Sequence, residues 1–277
     1  MENQNELALT LYQNPEIRKL LDEIAEVAGY LWERGWAERN AGNISVNVTG
    51  FFTPRELAPL VVFPPCGIPA PGNEIGGHLL MITGTGTRMR DMAKNPAENV
   101  CFVYIRPDQP CCHLICHCKQ GACLKPSSEL PTHLAIHQEL VRNNAAEKVV
   151  LHSHVLELIA ITQLPEFQSE EALNRMLWGM HPETVIFVPE GIGFIPYTIP
   201  GTEMMATATL KGFGKHRVIV WEKHGCMAIG KSLREAFDTI DILAKSARIW
   251  FLCKSAGREP EGLTPGELIE LRDHYSL

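Results

Sequence analysis

Two histidines one residue apart, His152 and His154, close the apolar run Val149-Val150-Leu151. Successive side chains on a strand point to opposite faces, so an i, i+2 pair projects the same way and both imidazoles can reach one point. A third histidine, in Lys223-His224-Gly225, follows a second apolar run. Together the three look like a three-histidine metal site. Three neutral nitrogen ligands leave a fourth position for water or substrate, which distinguishes a catalytic zinc from a closed structural one. A His-x-His pair also arises by chance on a half-buried strand, so other residues must decide.

At 277 residues the chain can bury a sizeable core without disulfides or structural metals. No apolar run approaches the length of a membrane span, and Met1-Glu2-Asn3-Gln4-Asn5 lacks the basic region and apolar core of a signal peptide. These features read as a cytoplasmic protein with no membrane partner. A net charge of -7 provides no electrostatic footprint for nucleic acid, though a local basic pocket for a small anion is compatible with it. A small molecule is the expected partner.

Nine cysteines in a chain of this length, with no export signal, are expected to be reduced thiols. Six of them fall between Cys101 and Cys123, around Cys111-Cys112-His113-Leu114-Ile115-Cys116-His117-Cys118. This is the rival metal site. Read as a strand, it puts Cys112, Leu114, Cys116 and Cys118 on one face, where small thiols can serve as hydrophobes. No paired Cys-x-x-Cys spacing of the zinc-ribbon kind is present.

Asn14-Pro15 caps and opens a helix whose stripe Ile17, Leu20, Leu21, Ile24, Val27, Ala28 and Leu31 follows the i, i+3, i+4 rule. Strand-like runs follow at 43–48, 60–63, 78–83 and 100–106, separated by Pro and Gly clusters. The Pro-rich stretch 63–72 predicts an exposed loop. A helix starting near Ser128 leads into the strand that carries the histidine pair, and a short helix at 155–162 follows it. Residues 184–188 and 217–221 read as strands with a helix at about 202–211 between them. Ser232-Leu233-Arg234-Glu235 is a capping-box sequence opening a long helix, and Thr264-Pro265 opens the last. Strands and helices mixed at irregular intervals suggest an α/β sandwich with a largely antiparallel sheet. No linker divides the chain, so 1–277 reads as a single domain with an N-terminal helical region at about 1–38.

Three polar, Gly-containing or helix-opening turns stand out: Asn40-Ala41-Gly42-Asn43-Ile44-Ser45, Thr83-Gly84-Thr85-Gly86-Thr87 and Ser127-Ser128-Glu129. Exposed backbone N–H groups in such turns and at helix N-termini bind anions, and Ser, Thr and Asn add donors. No Gly-Lys-Ser/Thr ending points to a nucleotide. Glu129 is the singular carboxylate, either complementing a helix dipole or working as an acid/base.

Asn-x-Gly-Asn-x-Ser at 40–45, Thr-Gly-Thr-Gly at 83–86, Ser-Ser-Glu at 127–129, His-Ser-His at 152–154 and His-Gly at 224–225 occur in the order of the class II sugar-phosphate aldolase/epimerase family, which the chain resembles. The resemblance implies a three-layer α-β-α sandwich around a largely antiparallel central sheet. It implies one Zn2+ per subunit held by His152, His154 and His224, with Glu129 as acid/base. Asn40, Asn43, Thr85, Ser127 and Ser128 would bind the substrate phosphate. Glu183 would be a second acid reaching a neighbouring subunit's site in a homotetramer. The N-terminal helical region, the gap between the first two motifs and the segment 183–191 resemble the branch that cleaves L-rhamnulose 1-phosphate to dihydroxyacetone phosphate and L-lactaldehyde. The alternatives are L-fuculose phosphate cleavage, 4-epimerisation of ribulose phosphate on the same site, and a non-catalytic adducin-head-like interaction module. The 4-epimerases tend to carry Asp where this chain has Glu129.

Overall fold

The computed structural model describes residues 2–69, 72, 74–109, 111–115 and 124–277. Residues 1–151 with 230–234 form one compact unit, and 152–229 with 235–277 form a second. The fold is α/β, and its sheet pairing is largely antiparallel.

The first unit opens with α1 (Glu2–Gln13) and α2 (Pro15–Glu33). Asn14 breaks the two apart and caps α2, its side chain accepting from the Glu16 and Ile17 N–H groups at 2.8 and 3.4 Å. Pro15 costs nothing at the first helical position, because its missing N–H would have no partner there. The apolar stripe from Ile17 to Leu31 is buried as its spacing predicts.

The strands β1 (Asn43–Asn47), β2 (Pro65–Pro69), β3 (Leu79–Thr83), β4 (Val100–Ile105) and β5 (Cys111–Ile115) follow, with short helices α3 (Pro54–Leu57), α4 (Met89–Met92) and α5 (Pro96–Asn99) among them. Helix α6 (Leu130–Arg142) then leads to β6 (Val149–Ser153), whose last two residues belong to the second unit. Strand order in this unit is β2-β5-β4-β3-β1-β6.

Period-two alternation builds the layers. Leu80 and Ile82 of β3, Cys101, Val103 and Ile105 of β4, and Cys112 of β5 share a face and pack with Leu130 and Leu134 of α6. The opposite face presents Phe102, on which Tyr12 of α1 sits edge-on at 5.0 Å. Tyr12 also donates from its hydroxyl to the Val100 carbonyl at 2.9 Å. Helices therefore cover both faces.

The second unit holds α7 (Leu156–Ile161), α8 (Glu170–Met180), α9 (Pro182–Phe187), β7 (Gly193–Ile195), α10 (Glu203–Phe213), β8 (Val218–Trp221) and β9 (Gly225–Gly230). It takes α11 (Leu233–Ser255) from Glu235 on and ends with α12 (Pro265–Tyr275), which a Thr264–Glu267 capping box opens. Strand order here is β6-β9-β8-β7, with β7 parallel to β8 and β8 antiparallel to β9.

Three local expectations are corrected. Residues 60–63 are not a strand. Ala58–Val62 is a 3-10 turn, since Pro59 starts it and Val61 and Val62 face solvent, where a β-branched pair says nothing about pairing. Residues 184–188 are not a strand either, because Pro182 at the first helical position opens α9 after the extended His181, and a short apolar run has no period of its own to resist this. The 63–72 stretch is not all loop: Pro65–Pro69 pairs with β5 as an edge strand, the one sheet position that tolerates prolines. Residues 70 and 71 lie outside those described.

Cys101 and Cys112 are buried in the apolar cluster and Leu114 packs against it, so this part of the Cys-rich strand serves as small hydrophobic filling. Cys116, His117, Cys118 and Cys123 lie outside the described residues. Among the described residues, no helix is long and apolar enough to cross a membrane.

Candidate active site

In the second unit, the end of β6 and the turn between β8 and β9 carry His152, His154 and His224. Their ring centroids form a nearly equilateral triangle, with sides of 5.2, 5.2 and 5.0 Å. Their potential ligand atoms all lie within 4.8 Å of one another, and among the described residues this is the only such group of three His, Cys, Asp or Glu. A point equidistant from three atoms so spaced is no more than about 2.8 Å from each, against ~2.0–2.1 Å for a zinc–imidazole bond. The donor set therefore fits a divalent ion after a small inward shift of the rings.

The turn that delivers His224 is built tightly. Lys223 stands at φ 62 and Gly225 at φ 143. A Cβ on Gly225 would come within 2.3 Å of the Ser153 carbonyl oxygen, so only glycine lets β9 approach the end of β6 this closely. Lys223 N–H donates to the Thr162 hydroxyl at 3.0 Å, which pins the turn from below.

Two contacts fix the rings. His152 Nδ1 donates to the Cys226 carbonyl at 2.9 Å, leaving Nε2 as its ligand atom. Trp221 stacks on His224 at 5.1 Å and tilts against His152 at 4.8 Å, and its indole N–H is held by Thr209 Oγ1 at 3.0 Å. Burial pushes the Cys226 thiol up, so it remains protonated. The Glu222 carboxyl is held below the usual range by Lys223 Nζ and the Tyr197 N–H. Glu183 lies half-exposed at the start of α9, 3.0 Å from His181 Nε2.

The first unit gathers most of the other expected residues. Thr83 anchors all three turns: its hydroxyl accepts from Ile44 N–H at 3.2 Å and its carbonyl from Ser127 N–H at 2.9 Å. A bridge between Gly84 and Pro126 and a 2.9 Å bond from Asn43 Nδ2 to Glu129 Oε2 complete the junction. Ser127 is buried, and its hydroxyl accepts from the Glu129 N–H at 3.3 Å. Thr85 and Ser128 are exposed beside it. Asn40 stands exposed in the turn closed by Ala41 N–H to the Glu38 carbonyl. Glu129 itself occupies the position that opens α6, as its sequence context predicts.

Sequence reasoning missed what lies behind Glu129. Asn43 Oδ1 accepts from His133 Nε2, and Ser45 Oγ meets His133 Nδ1 at 2.6 Å and His137 Nε2 at 2.8 Å. Burial, with His133 and His78 adding to it, drives the His137 imidazole down to about 3. The available signals were His133-x-x-x-His137 on one face of a helix and Asn43-x-Ser45 on one face of a strand. Trp221 and Thr162 were missed as well, since neither carries a charge or a ligand atom.

The profile of the family described as "Class II Aldolase and Adducin N-terminal domain" matches residues 22–251. The chain is 38% identical to a rhamnulose-1-phosphate aldolase of Bacteroides thetaiotaomicron, covering 96% of this chain and 98% of that one. It is 30% identical to a rhamnulose-1-phosphate aldolase of Listeria monocytogenes over 93% of each. Among solved structures it resembles a sugar-phosphate aldolase from Thermotoga maritima, with a TM-score of 0.74 and 31% identity over 89% of this chain and all of that one.

Proposed function

The chain belongs to the class II aldolase and adducin N-terminal domain family, and from that premise we propose that it is a metal-dependent aldolase that cleaves L-rhamnulose 1-phosphate reversibly to dihydroxyacetone phosphate and L-lactaldehyde. The observation that carries this reading is the His152–His154–His224 triangle. Class II chemistry depends on a metal, and these three imidazoles fit one. The full-length likeness to rhamnulose-1-phosphate aldolases supports the choice of substrate.

In this reading His152, His154 and His224 hold one Zn2+ per subunit, which when bound supplies Lewis acidity toward the ketose oxygens. Glu129 moves the proton at carbon. During cleavage a base takes the proton of the carbon-4 hydroxyl, the carbon-carbon bond breaks, and the aldehyde leaves. Glu129 as the carboxylic acid then protonates the carbon left behind, and as the carboxylate it removes that proton in synthesis. Asn40, Asn43, Thr85, Ser127 and Ser128 bind the phosphate, so that binding energy at the unreactive end orients the reacting carbons. Glu183 serves as a second acid toward a neighbouring subunit of a homotetramer. The family match spans both compact units, which supports one catalytic domain over 1–277, working in the cytoplasm.

Incubation with L-rhamnulose 1-phosphate, with dihydroxyacetone phosphate followed through NADH oxidation, tests the proposal. Release abolished by chelation and restored by zinc is the expected result. A metal-loaded protein that returns an isomeric phosphoketose and no dihydroxyacetone phosphate would make it an epimerase.

A further inference from the structure

Resting on the assignment of Glu129 as the acid/base, we propose that Ser45, His133 and His137 form a one-directional chain of buried hydrogen bonds that locks the Asn43 amide against Glu129, making His133 and Ser45 positioning residues for the proton transfer. The chain spans two elements. Asn43 and Ser45 project from one face of β1, and His133 and His137, four residues apart, from one face of α6. Ser45 and His133 have no exposed surface, and His137 has 1%.

The direction follows from donor and acceptor counting. An ionised Glu129 can only accept, so Asn43 must turn its NH2 toward Oε2, 2.9 Å away. That leaves Oδ1 facing His133 Nε2, which must therefore carry the proton. A neutral imidazole has one N–H, so His133 Nδ1 is an acceptor, and the partner 2.6 Å from it, Ser45 Oγ, donates. With its single proton committed, Ser45 must accept from His137 Nε2–H at 2.8 Å. With His133 as a neutral imidazole, every proton in the chain follows from the charge on Glu129, and every link resists an Asn43 flip, because a flip would set buried donor against donor.

Elsewhere on α6 apolar side chains do the packing, Leu130 and Leu134 joining residues of β3, β4 and β5. Between β1 and α6, two histidines and a serine do what leucines cannot. They hold a partner of the one carboxyl that the reaction requires to keep its aim. Small displacements of a reacting group have large kinetic effects, so loss of the lock should appear in kcat, beyond whatever the Asn43 contact with the phosphate contributes to KM.

Paired substitutions in the zinc-loaded full-length enzyme separate this role from mere core packing. Gln can place its amide NH2, a donor, near the position of His Nε2, whereas Asn can place its amide oxygen, an acceptor, near that of Nδ1. His133→Asn, which keeps the Ser45 link but loses the donor to Asn43, should lower kcat roughly 10- to 100-fold, a larger change than any rise in KM from the disturbed Asn43 contact with the phosphate. His133→Gln should recover most of that loss. Ser45→Ala, a small change that preserves the packing, should lower kcat in the same direction. In the wild-type protein, long-range nitrogen-15 spectra should show both His133 and His137 protonated at Nε2 and bare at Nδ1. Two results would overturn the inference: His133 protonated at Nδ1, or His133→Asn and Ser45→Ala both turning over at the wild-type rate. Glu129→Gln tells this failure from failure of the functional reading, because near-normal turnover in that variant removes Glu129 from the chemistry whatever the histidines do.

Discussion

The molecule contains two clusters of imidazoles that look alike in sequence and are built to opposite ends. At the end of β6, His152, His154 and His224 face one another at 5.0–5.2 Å with an indole packed on two of the rings. Between β1 and α6, a serine hydroxyl stands between His133 and His137, and an amide takes the remaining nitrogen of His133. The first arrangement converges ring nitrogens on a point, while the second satisfies them pairwise. Convergent nitrogens serve a cation, whereas pairwise satisfaction serves orientation. Counting histidines distinguishes neither; what stands between the rings does.

The largest effect expected from breaking this contrast is at the first cluster. His154→Ala should strip the protein of metal and reduce turnover by more than about 1,000-fold, because the proposed reaction relies on the Lewis acidity of that metal. Retained metal in that variant would move attention to the cysteines of β5. Glu129→Gln should reduce turnover by about 100- to 1,000-fold while metal content stays at the wild-type level, as quantified by metal analysis alongside the coupled assay.

The second cluster should instead show itself in stability against pH. The folded His137 imidazole titrates at about 3 and an unfolded one near 6.5, so below pH 6.5 the unfolded chain takes up a proton that the folded chain refuses. Stability is therefore lost as pH falls from 6.5 toward 3, with a slope approaching about 1.4 kcal/mol per unit, or roughly 50-fold in the unfolding equilibrium between pH 6.5 and 4.5. Urea melts across that range should show the slope in the wild type and a shallower one in His137→Gln. Trp221→Leu should weaken zinc binding roughly tenfold, as loss of groups that orient ligands does, without changing the number of sites. Asn14→Ala should cost about 1 kcal/mol by uncapping α2, with metal content and kcat unchanged.

Sequence alone carried the helices with strong periodic stripes. The α2 stripe is buried as its spacing requires; on α11 the expected apolar face from Leu233 to Phe251 is buried as far as Trp250, and Phe251 is half-buried. It failed at 60–63 and 184–188, where short β-branched runs have no length over which a period can be read and a proline decides the outcome. Helix α8 went unread although Ser169 caps it and Leu173, Met176 and Leu177 mark its buried side. Its flanking polar residues resemble a loop until the cap is noticed. At the candidate site, the three histidines that the structure brings together were legible because their type is rare and their spacing is distinctive. The supporting groups were not, since Ser45, Thr162, His133 and Trp221 acquire their roles only from partners brought in by the fold. Thr162 meets the Lys223 N–H across 61 residues, and Ser45 meets His133 across 88.

Zinc bound per chain, measured in the wild type and in His224→Ala after loading and exhaustive dialysis, tests the central assignment most directly. One zinc per chain in the wild type and almost none in the variant is the expected outcome, since His224 completes the triangle. Full zinc occupancy in His224→Ala, or none in the loaded wild type, would contradict it.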